Sequence, residues 1–432
     1  MSIQYPEKVY VELTTHCNLR CPMCLKFAEG SCIEEGDMPL ELFKKLVPSL
    51  VHTRFLVLNG IGEPLLHPDL DEIIVLARAV MPPDGRIGFQ SNGLLLHKKR
   101  ALQLIQAGID TVCLSLDNLN EQQTGTLGRE GHQRSSVEKA IANLSEAAKA
   151  ANRAIRIGVE VVLQKDTLHQ LPALVEWAHM HGIDYIIASH LFSYDGTMAG
   201  QTLFNPNSYE ATQLFAKWNA EAVAQGVDLT DLPSAQLRFS KSLSDSIVLR
   251  LGAAMQKEAN EKAITFHFPN LVAARGDSDQ RELEKQFHRV RELATDRGIE
   301  LFLPPLYAHT DGQRSCPFIE EEAVFINKNG EVMPCHFLWH TCPSRVNQEP
   351  IHVKELVFGT LEEQPLEMIW QQPAYRSFRA EVKLNNYAPC WSCSAGPCVD
   401  LVNTSLLGAN DCYGSHVPCG HCMWGIGWLK CL

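Results

Sequence analysis

An α/β fold on parallel strands is predicted by three observations. From Val9 to about Ser189, short β-branched or aromatic runs alternate with stretches that carry apolar residues at helical spacing. Gly108 and Gly182 stand where two of those helices should stop. The short polar and glycine-bearing segments fall just after predicted strands. Alternation at this pace implies right-handed crossovers between parallel strands, in an open sheet or a barrel.

Taken in order, the predicted strands are Val9–Leu13, Arg54–Leu58, Arg86–Gln90, Thr111–Leu116, Ile155–Leu163 and Asp184–Ser189. The helices between them are Pro39–Leu50, Leu70–Val80, Lys98–Ala107, Val137–Ala150 and Leu171–His181. In either arrangement, reactive loops gather at the carboxyl ends of the strands. Four such loops carry the notable residues of this half. Cys17-Asn18-Leu19-Arg20-Cys21-Pro22-Met23-Cys24 follows the first strand and Gly60-Ile61-Gly62-Glu63-Pro64 the second. Ser91-Asn92-Gly93 follows the third, and Ser115-Leu116-Asp117 closes the fourth.

Beyond residue 200 the rhythm changes. Tyr209–Ala224 and the stripes Leu243, Ile247, Leu251, Met255 and Leu283, Phe287, Val290, Ala294 predict three helices. Ile299–Leu303 is a further strand. Ala323–Ile326 and Glu331–Met333 flank Asn329-Gly330 as a tight hairpin, and Leu366–Ala380 reads as a helix. Past Cys390 there is little periodicity, so ligated metal is the expected source of order there. The resulting division is a barrel or sheet core over 1–199, a mainly helical bridge over 200–305, and a cysteine-rich unit over 306–432.

The chain of 432 residues, 45% apolar and 20% charged, has an ordinary globular composition. Its net charge of −12, with no basic cluster, gives no footing for nucleic acid or an anionic membrane surface. No apolar run approaches the roughly 20 residues that span a bilayer, and the start lacks the form of a signal peptide. A cytoplasmic protein is expected. In that reducing setting the grouped thiols among the fifteen cysteines, three in the opening motif and ten between Cys316 and Cys431, read as metal ligands rather than disulfides, with Cys32 and Cys113 unaffiliated.

Cys17, Cys21 and Cys24 form a C-x3-C-x2-C frame. Structural zinc wants four ligands, whereas three thiolates can hold a four-iron cluster with one iron left open. The second group is Cys316, Cys335, Cys390, Cys393, Cys398, Cys412, Cys419, Cys422 and Cys431. These suffice for two clusters with one thiol to spare, or for one full cluster and one with an open iron. A zinc ribbon of Cys390, Cys393, Cys419 and Cys422 is the alternative. Cys342 is a further thiol beside the hairpin.

The cysteine frame after a first strand, with Gly62-Glu63-Pro64 after the second, resembles the radical S-adenosylmethionine superfamily over roughly residues 8 to 190. The resemblance implies a partial (β/α)6 barrel and a [4Fe-4S] cluster whose open iron chelates S-adenosylmethionine. The spacing Cys316-x13-Gly330-x4-Cys335 resembles the SPASM extension, which implies one or two auxiliary [4Fe-4S] clusters. The tail departs from the usual SPASM order, because a second C-x2-C appears at Cys419 and Cys422.

Strings such as Asn329-Gly330-Glu331-Val332-Met333-Pro334-Cys335 and Pro418-Cys419-Gly420-His421-Cys422-Met423-Trp424 are similar to a SPASM subfamily of tungsten cofactor oxidoreductase maturases. Its members are thought to modify the pterin cofactor of aldehyde-oxidoreductase-type enzymes.

Within this frame Gly60 and Gly62 let backbone approach the cofactor, and Glu63 or the carbonyls of its turn accept from the cofactor's ammonium. Ser91, Asn92, Ser115 and Asp117 suit its carboxylate and ribose hydroxyls, and Arg129 or Arg134 its carboxylate. His190 and His336 are the candidates for proton transfer, with His340 beside them. A low-potential donor of ferredoxin or flavodoxin type and an anaerobic setting are implied. The substrate that the resemblance implies is a tungsten or molybdenum pterin cofactor or its aldehyde-oxidoreductase-type enzyme, or alternatively a peptide. Only eight residues precede the first strand, which argues against a leader-binding domain. A cluster protein that merely relays electrons would explain the cysteines but not Gly62-Glu63-Pro64.

Overall fold

The computed structural model describes residues 5–119, 134–273, 280–307, 315–347, 349–388, 390–393, 412, 418–430 and 432. Six parallel strands stand side by side in chain order: β1 (Lys8–Val11), β2 (Phe55–Val57), β3 (Arg86–Ser91), β4 (Thr111–Ser115), β5 (Arg156–Leu163) and β6 (Tyr185–His190). The helices α1 (Leu40–Leu46), α2 (Leu70–Val80), α3 (Lys98–Ala107), α4 (Arg134–Ala151) and α5 (Leu171–Met180) carry the crossovers. This is the partial (β/α)6 barrel expected from the sequence.

Alternation along the strands decides what faces where. Val9, Val11, Leu56, Ile87, Phe89, Val112, Leu114, Val159 and Val161 are buried in the main core with the helices. The opposite parity carries Tyr10, Glu12, Asn59, Gln90 and Glu160. The Gln90 side-chain amide donates to Glu160 although β3 and β5 are not neighbours, so these residues line a concave interior.

The sheet extends beyond six strands at both edges. β7 (Glu300–Phe302) adds parallel to β6, and β8 (Ala323–Ile326) adds parallel to β1. β8 turns through Asn329-Gly330, with Gly330 at φ +76°, into β9 (Glu331–Met333). β10 (Cys342–Val346) and β11 (Glu349–Val353) form a separate hairpin, and β12 (Gly359–Thr360) pairs with β9. The second hairpin is absent from the sequence reading, because Pro343 and Pro350 interrupt the strand signal.

In the bridge, α6 (Tyr209–Ala224), α7 (Leu232–Leu237), α8 (Leu243–Glu261) and α9 (Phe268–Ala273) precede α10 (Gln280–Arg297). Leu214, Phe215, Leu251, Met255, Phe266 and Leu271 make a separate small core. Phe287, Val290 and Ala294 of α10 instead join the barrel's core. Further on, α11 (Pro317–Glu320) follows Cys316. The helix read over Leu366–Ala380 is two, α12 (Leu366–Gln371) and α13 (Pro373–Leu384). Gln372 is extended at ψ 142° ahead of Pro373, whose ring disfavours a helical residue before it.

The tail returns to the barrel. The Trp428 carbonyl accepts from His190 N at 3.2 Å, and Tyr10 Oη donates to Leu432 O at 2.9 Å. Leu432 packs beside Cys113, Tyr185 and Ile187. No described helix is long and apolar enough to cross a membrane.

Candidate functional site

The loop after β1 is fastened at its base. Thr15 Oγ1 donates to Glu34 O at 2.8 Å and accepts from Gly36 N at 2.9 Å, while Lys26 Nζ donates to Thr15 O at 2.7 Å. Its far end coils, with Cys24 N donating to Cys21 O and Phe27 N to Cys24 O, each at 3.0 Å. Cys17, Cys21 and Cys24 are partly buried, and no disulfide joins the described cysteines. Three cysteines on one fastened loop fit the ligand set of a four-iron cluster with an open iron.

The loop after β2 is pressed onto the same segment. A Cβ on Gly62 would lie 2.3 Å from Thr14 O and 2.6 Å from His16 O, so only glycine fits. Glu63 N donates to His16 O at 2.8 Å. The Glu63 side chain is 2% exposed. Its Oε1 accepts from Ser91 Oγ at 2.8 Å and Leu65 N at 3.2 Å, and its Oε2 from Asn92 N at 2.8 Å. Asn92 Nδ2 in turn donates to Asn18 Oδ1 at 2.8 Å, inside the cysteine loop.

Glu63 and Asn92 therefore clip three loops together. The carboxylate expected to meet the cofactor's ammonium has protein donors on both oxygens. Ser115 ends β4 at the same rim, and Asp117 Oδ1 accepts from Val162 N at 3.2 Å. Arg129 lies outside the described residues. Arg134 donates to Leu119 O at 3.1 Å and pairs with Glu138 at the same distance.

His190 and His336 are not at an open rim. His190 is buried with Nε2 2.7 Å from Pro305 O, and burial pushes its imidazole down to about 4. His336 is enclosed by Tyr10, Phe318, Phe325 and Trp339, and burial pushes it down to about 3. Both imidazoles are neutral at neutral pH. His340 reaches the barrel interior, with Nε2 3.1 Å from Oε1 of fully buried Glu12.

The sequence reading missed this pair and the Asn59–Gln90–Glu160 chain beside it. A signal was present: Glu12 is a lone charge in the apolar run Val9-Tyr10-Val11-Glu12-Leu13. It also explains Gly60, whose Cβ would lie 2.4 Å from the Glu12 side chain.

Among the distant cysteines, Cys390 and Cys393 are partly buried and Cys412 is exposed, while Cys398 and Cys431 lie outside the described residues. Cys342 sits in β10, its thiol pushed up to about 12 by burial. Burial likewise pushes the thiols of Cys316, Cys335 and Cys419 up. Among the described residues, no three His, Cys, Asp or Glu side chains are gathered for a single metal ion.

Comparison with known proteins agrees with this geometry. Residues 11–178 match the radical SAM superfamily, and residues 316–394 the SPASM iron-sulfur cluster-binding domain. The chain is 25% identical over 429 residues to a tungsten-containing aldehyde ferredoxin oxidoreductase cofactor-modifying protein of Pyrococcus furiosus, covering 98% of this chain and 96% of that one. It is 30% identical over 179 residues to a probable GTP 3',8-cyclase of Methanosarcina acetivorans, over 40% of this chain and half of that relative. SuiB of Streptococcus suis, bound to S-adenosylmethionine, shares the fold at TM-score 0.51 and 14% identity, over 87% of this chain and 68% of that one.

Proposed function

From a chain that carries a radical S-adenosylmethionine domain and a SPASM domain, we propose a maturase that modifies the pterin cofactor of an aldehyde-oxidoreductase-type enzyme. The observation that carries the chemistry is the clip of Glu63 and Asn92, which holds the Cys17–Cys24 loop against the Gly62 turn. When bound, the cluster and S-adenosylmethionine supply reductive cleavage of the sulfonium to methionine and a 5′-deoxyadenosyl radical. Cys17, Cys21 and Cys24 would hold that cluster. The backbone of the Gly62 turn, with Ser115 and Asp117, would orient the cofactor. Glu12 and His340 face the interior where a substrate would be held.

Similarity that runs the length of both chains to a cofactor-modifying protein favours a cofactor over a peptide. A second feature agrees. A cavity of about 200 Å³ opens beside the ends of β5, β6 and β7, between the bridge and the cysteine-rich part. It carries Lys165 and Arg345 beside the stacked rings of Phe204 and Trp428. The buried donors Asn205 Nδ2 and Trp391 Nε1 have no partner among the described residues. Cations, ring faces and unpaired donors suit a planar, anionic, acceptor-rich compound.

The electron donor is a low-potential ferredoxin or flavodoxin, and an oxygen-labile open iron suits a cytoplasmic, anaerobic setting. The test is anaerobic release of 5′-deoxyadenosine with a pterin-cofactor fraction or with short peptides. Stimulation by the pterin fraction is expected. Stimulation by a peptide alone would replace this substrate with the peptide reading.

A further inference from the structure

We propose that Glu12 is a positioning residue for S-adenosylmethionine. It holds the Gly60–Pro64 turn through the Ile61 amide, on the same carboxylate oxygen that His340 of the cysteine-rich unit reaches. The inference rests on the reading of that turn as part of the cofactor's bed, and it adds a strut by which the distant unit sets how firmly the cofactor is held. Glu12 and Ile61 lie within the radical SAM match and His340 within the SPASM match, so the contact crosses from one to the other.

Glu12 directly follows β1 and is fully buried, where a carboxyl group is costly unless it is hydrogen-bonded. Three segments surround it. Glu12 N donates to Ile326 O of β8 at 2.9 Å, which fixes its backbone on the cysteine-rich side. Ile61 N donates to Glu12 Oε1 at 3.1 Å, and His340 Nε2 lies 3.1 Å from the same oxygen. Gly60 closes the arrangement. A Cβ there would lie 2.4 Å from Glu12 Cγ and 2.7 Å from Oε1, so the turn rests directly on this side chain. The same turn presses Gly62 onto Thr14 and His16, and a shift at Ile61 therefore moves the backbone assigned to the cofactor.

His340 arrives on a braced segment. The Trp339 ring packs beside it at 5.1 Å, Thr341 N donates to Glu355 Oε2 at 3.1 Å, and Glu355 N donates back to Thr341 Oγ1 at 3.3 Å. By contrast, Glu12 Oε2 has no hydrogen-bond partner among the described residues. One oxygen thus carries both contacts, and the geometry asks for an acceptor at Oε1 rather than for the full charge. A carboxamide supplies that acceptor. Direct contact with the cofactor's ammonium would instead draw on the charge, which makes such bonds roughly twice as strong as neutral ones.

The experiment uses the full chain reconstituted anaerobically, with iron counted. Cofactor affinity is read from the change that S-adenosylmethionine induces in the first cluster's reduced EPR spectrum, and hydrogen exchange over residues 58–66 is read by mass spectrometry without the cofactor. Glu12→Leu removes the acceptor. It should weaken cofactor binding about tenfold and speed exchange of the Ile61 amide by a similar factor, with the first cluster's iron retained. Glu12→Gln should stay within about threefold of wild type in both. Gly60→Ala keeps the carboxylate but pushes it off the turn; it should behave like Glu12→Leu, and it decides the matter if the leucine variant does not fold. His340→Ala should weaken binding about threefold, and His340→Gln, which keeps a donor, should restore it.

Unchanged affinity and exchange in Glu12→Leu and Gly60→Ala would overturn the holding role. A glutamine variant as weak as the leucine one would overturn it in favour of direct contact between carboxylate and cofactor. Wild-type binding by His340→Ala would overturn the strut. Because exchange is measured without S-adenosylmethionine, the two readings fail separately. Faster exchange in Glu12→Leu, beside a wild-type protein that releases no 5′-deoxyadenosine, would fail the proposed function and leave the holding of the turn in place.

Discussion

Replacing Glu63 by Gln separates holding the loops from touching the cofactor. The carboxylate receives Leu65 N, Ser91 Oγ and Asn92 N in a site 2% exposed, where water cannot substitute for a lost acceptor. A glutamine keeps one acceptor oxygen and turns an NH2 toward one of these donors. If the oxygen stays with Ser91 and Leu65, the Asn92 amide loses a bond to a charged partner and faces another donor. Bonds of that kind are worth about 1.5–3 kcal/mol, a substantial part of the roughly 5–15 kcal/mol that holds a native domain. Urea unfolding of the cluster-free chain should show a lower midpoint at unchanged slope. S-adenosylmethionine binding to the loaded protein should weaken about tenfold, a cost of about 1.4 kcal/mol, as the Asn92–Asn18 clip loosens. Wild-type stability of the cluster-free variant, together with lost cofactor binding, would refute the holding role and make Glu63 a direct ligand.

Three further perturbations follow from the same geometry. Gly62→Ala puts a methyl 2.3 Å from Thr14 O, so the cysteine loop must move; 5′-deoxyadenosine release should fall about a hundredfold, the usual cost of a misplacement near 1 Å. His340→Ala leaves buried Glu12 without its imidazole and should cost about 1–3 kcal/mol by denaturant titration. Adding Glu12→Gln should recover part of that loss, and strict additivity would show that the two side chains are not coupled. The unfolded His190 takes up its proton near pH 6.5 and the folded one only near 4. Its contribution is therefore present above about pH 6.5, is lost as pH falls through that window, and levels off below about 4, up to about 3 kcal/mol in all. His190→Phe should flatten the stability curve by that amount.

Much of this was legible because it is local. The alternating strands and helices, and the polar loops after them, follow from periodicity, and α2 and α3 span Leu70–Val80 and Lys98–Ala107 as read. What could not be read depends on distant segments. His190 and His336 sit at suggestive positions in the chain, yet aromatic packing and a carbonyl, both set by tertiary structure, bury them. The role of Glu63 as a clip needs Ser91 and Asn92 from the next crossover. The Glu12–His340 pair joins residues 328 positions apart and has no expression in spacing. The β10–β11 hairpin was hidden by its prolines, and the break before Pro373 was a local signal that periodicity overrode.

The most direct test of the central claim is 5′-deoxyadenosine release from the anaerobically reconstituted, dithionite-reduced chain, wild type against Cys24→Ala. Release by the wild type is predicted, with none from the variant while the iron of the distant cysteines stays bound. No release from a wild-type protein whose clusters are intact, or equal release from Cys24→Ala, would contradict it.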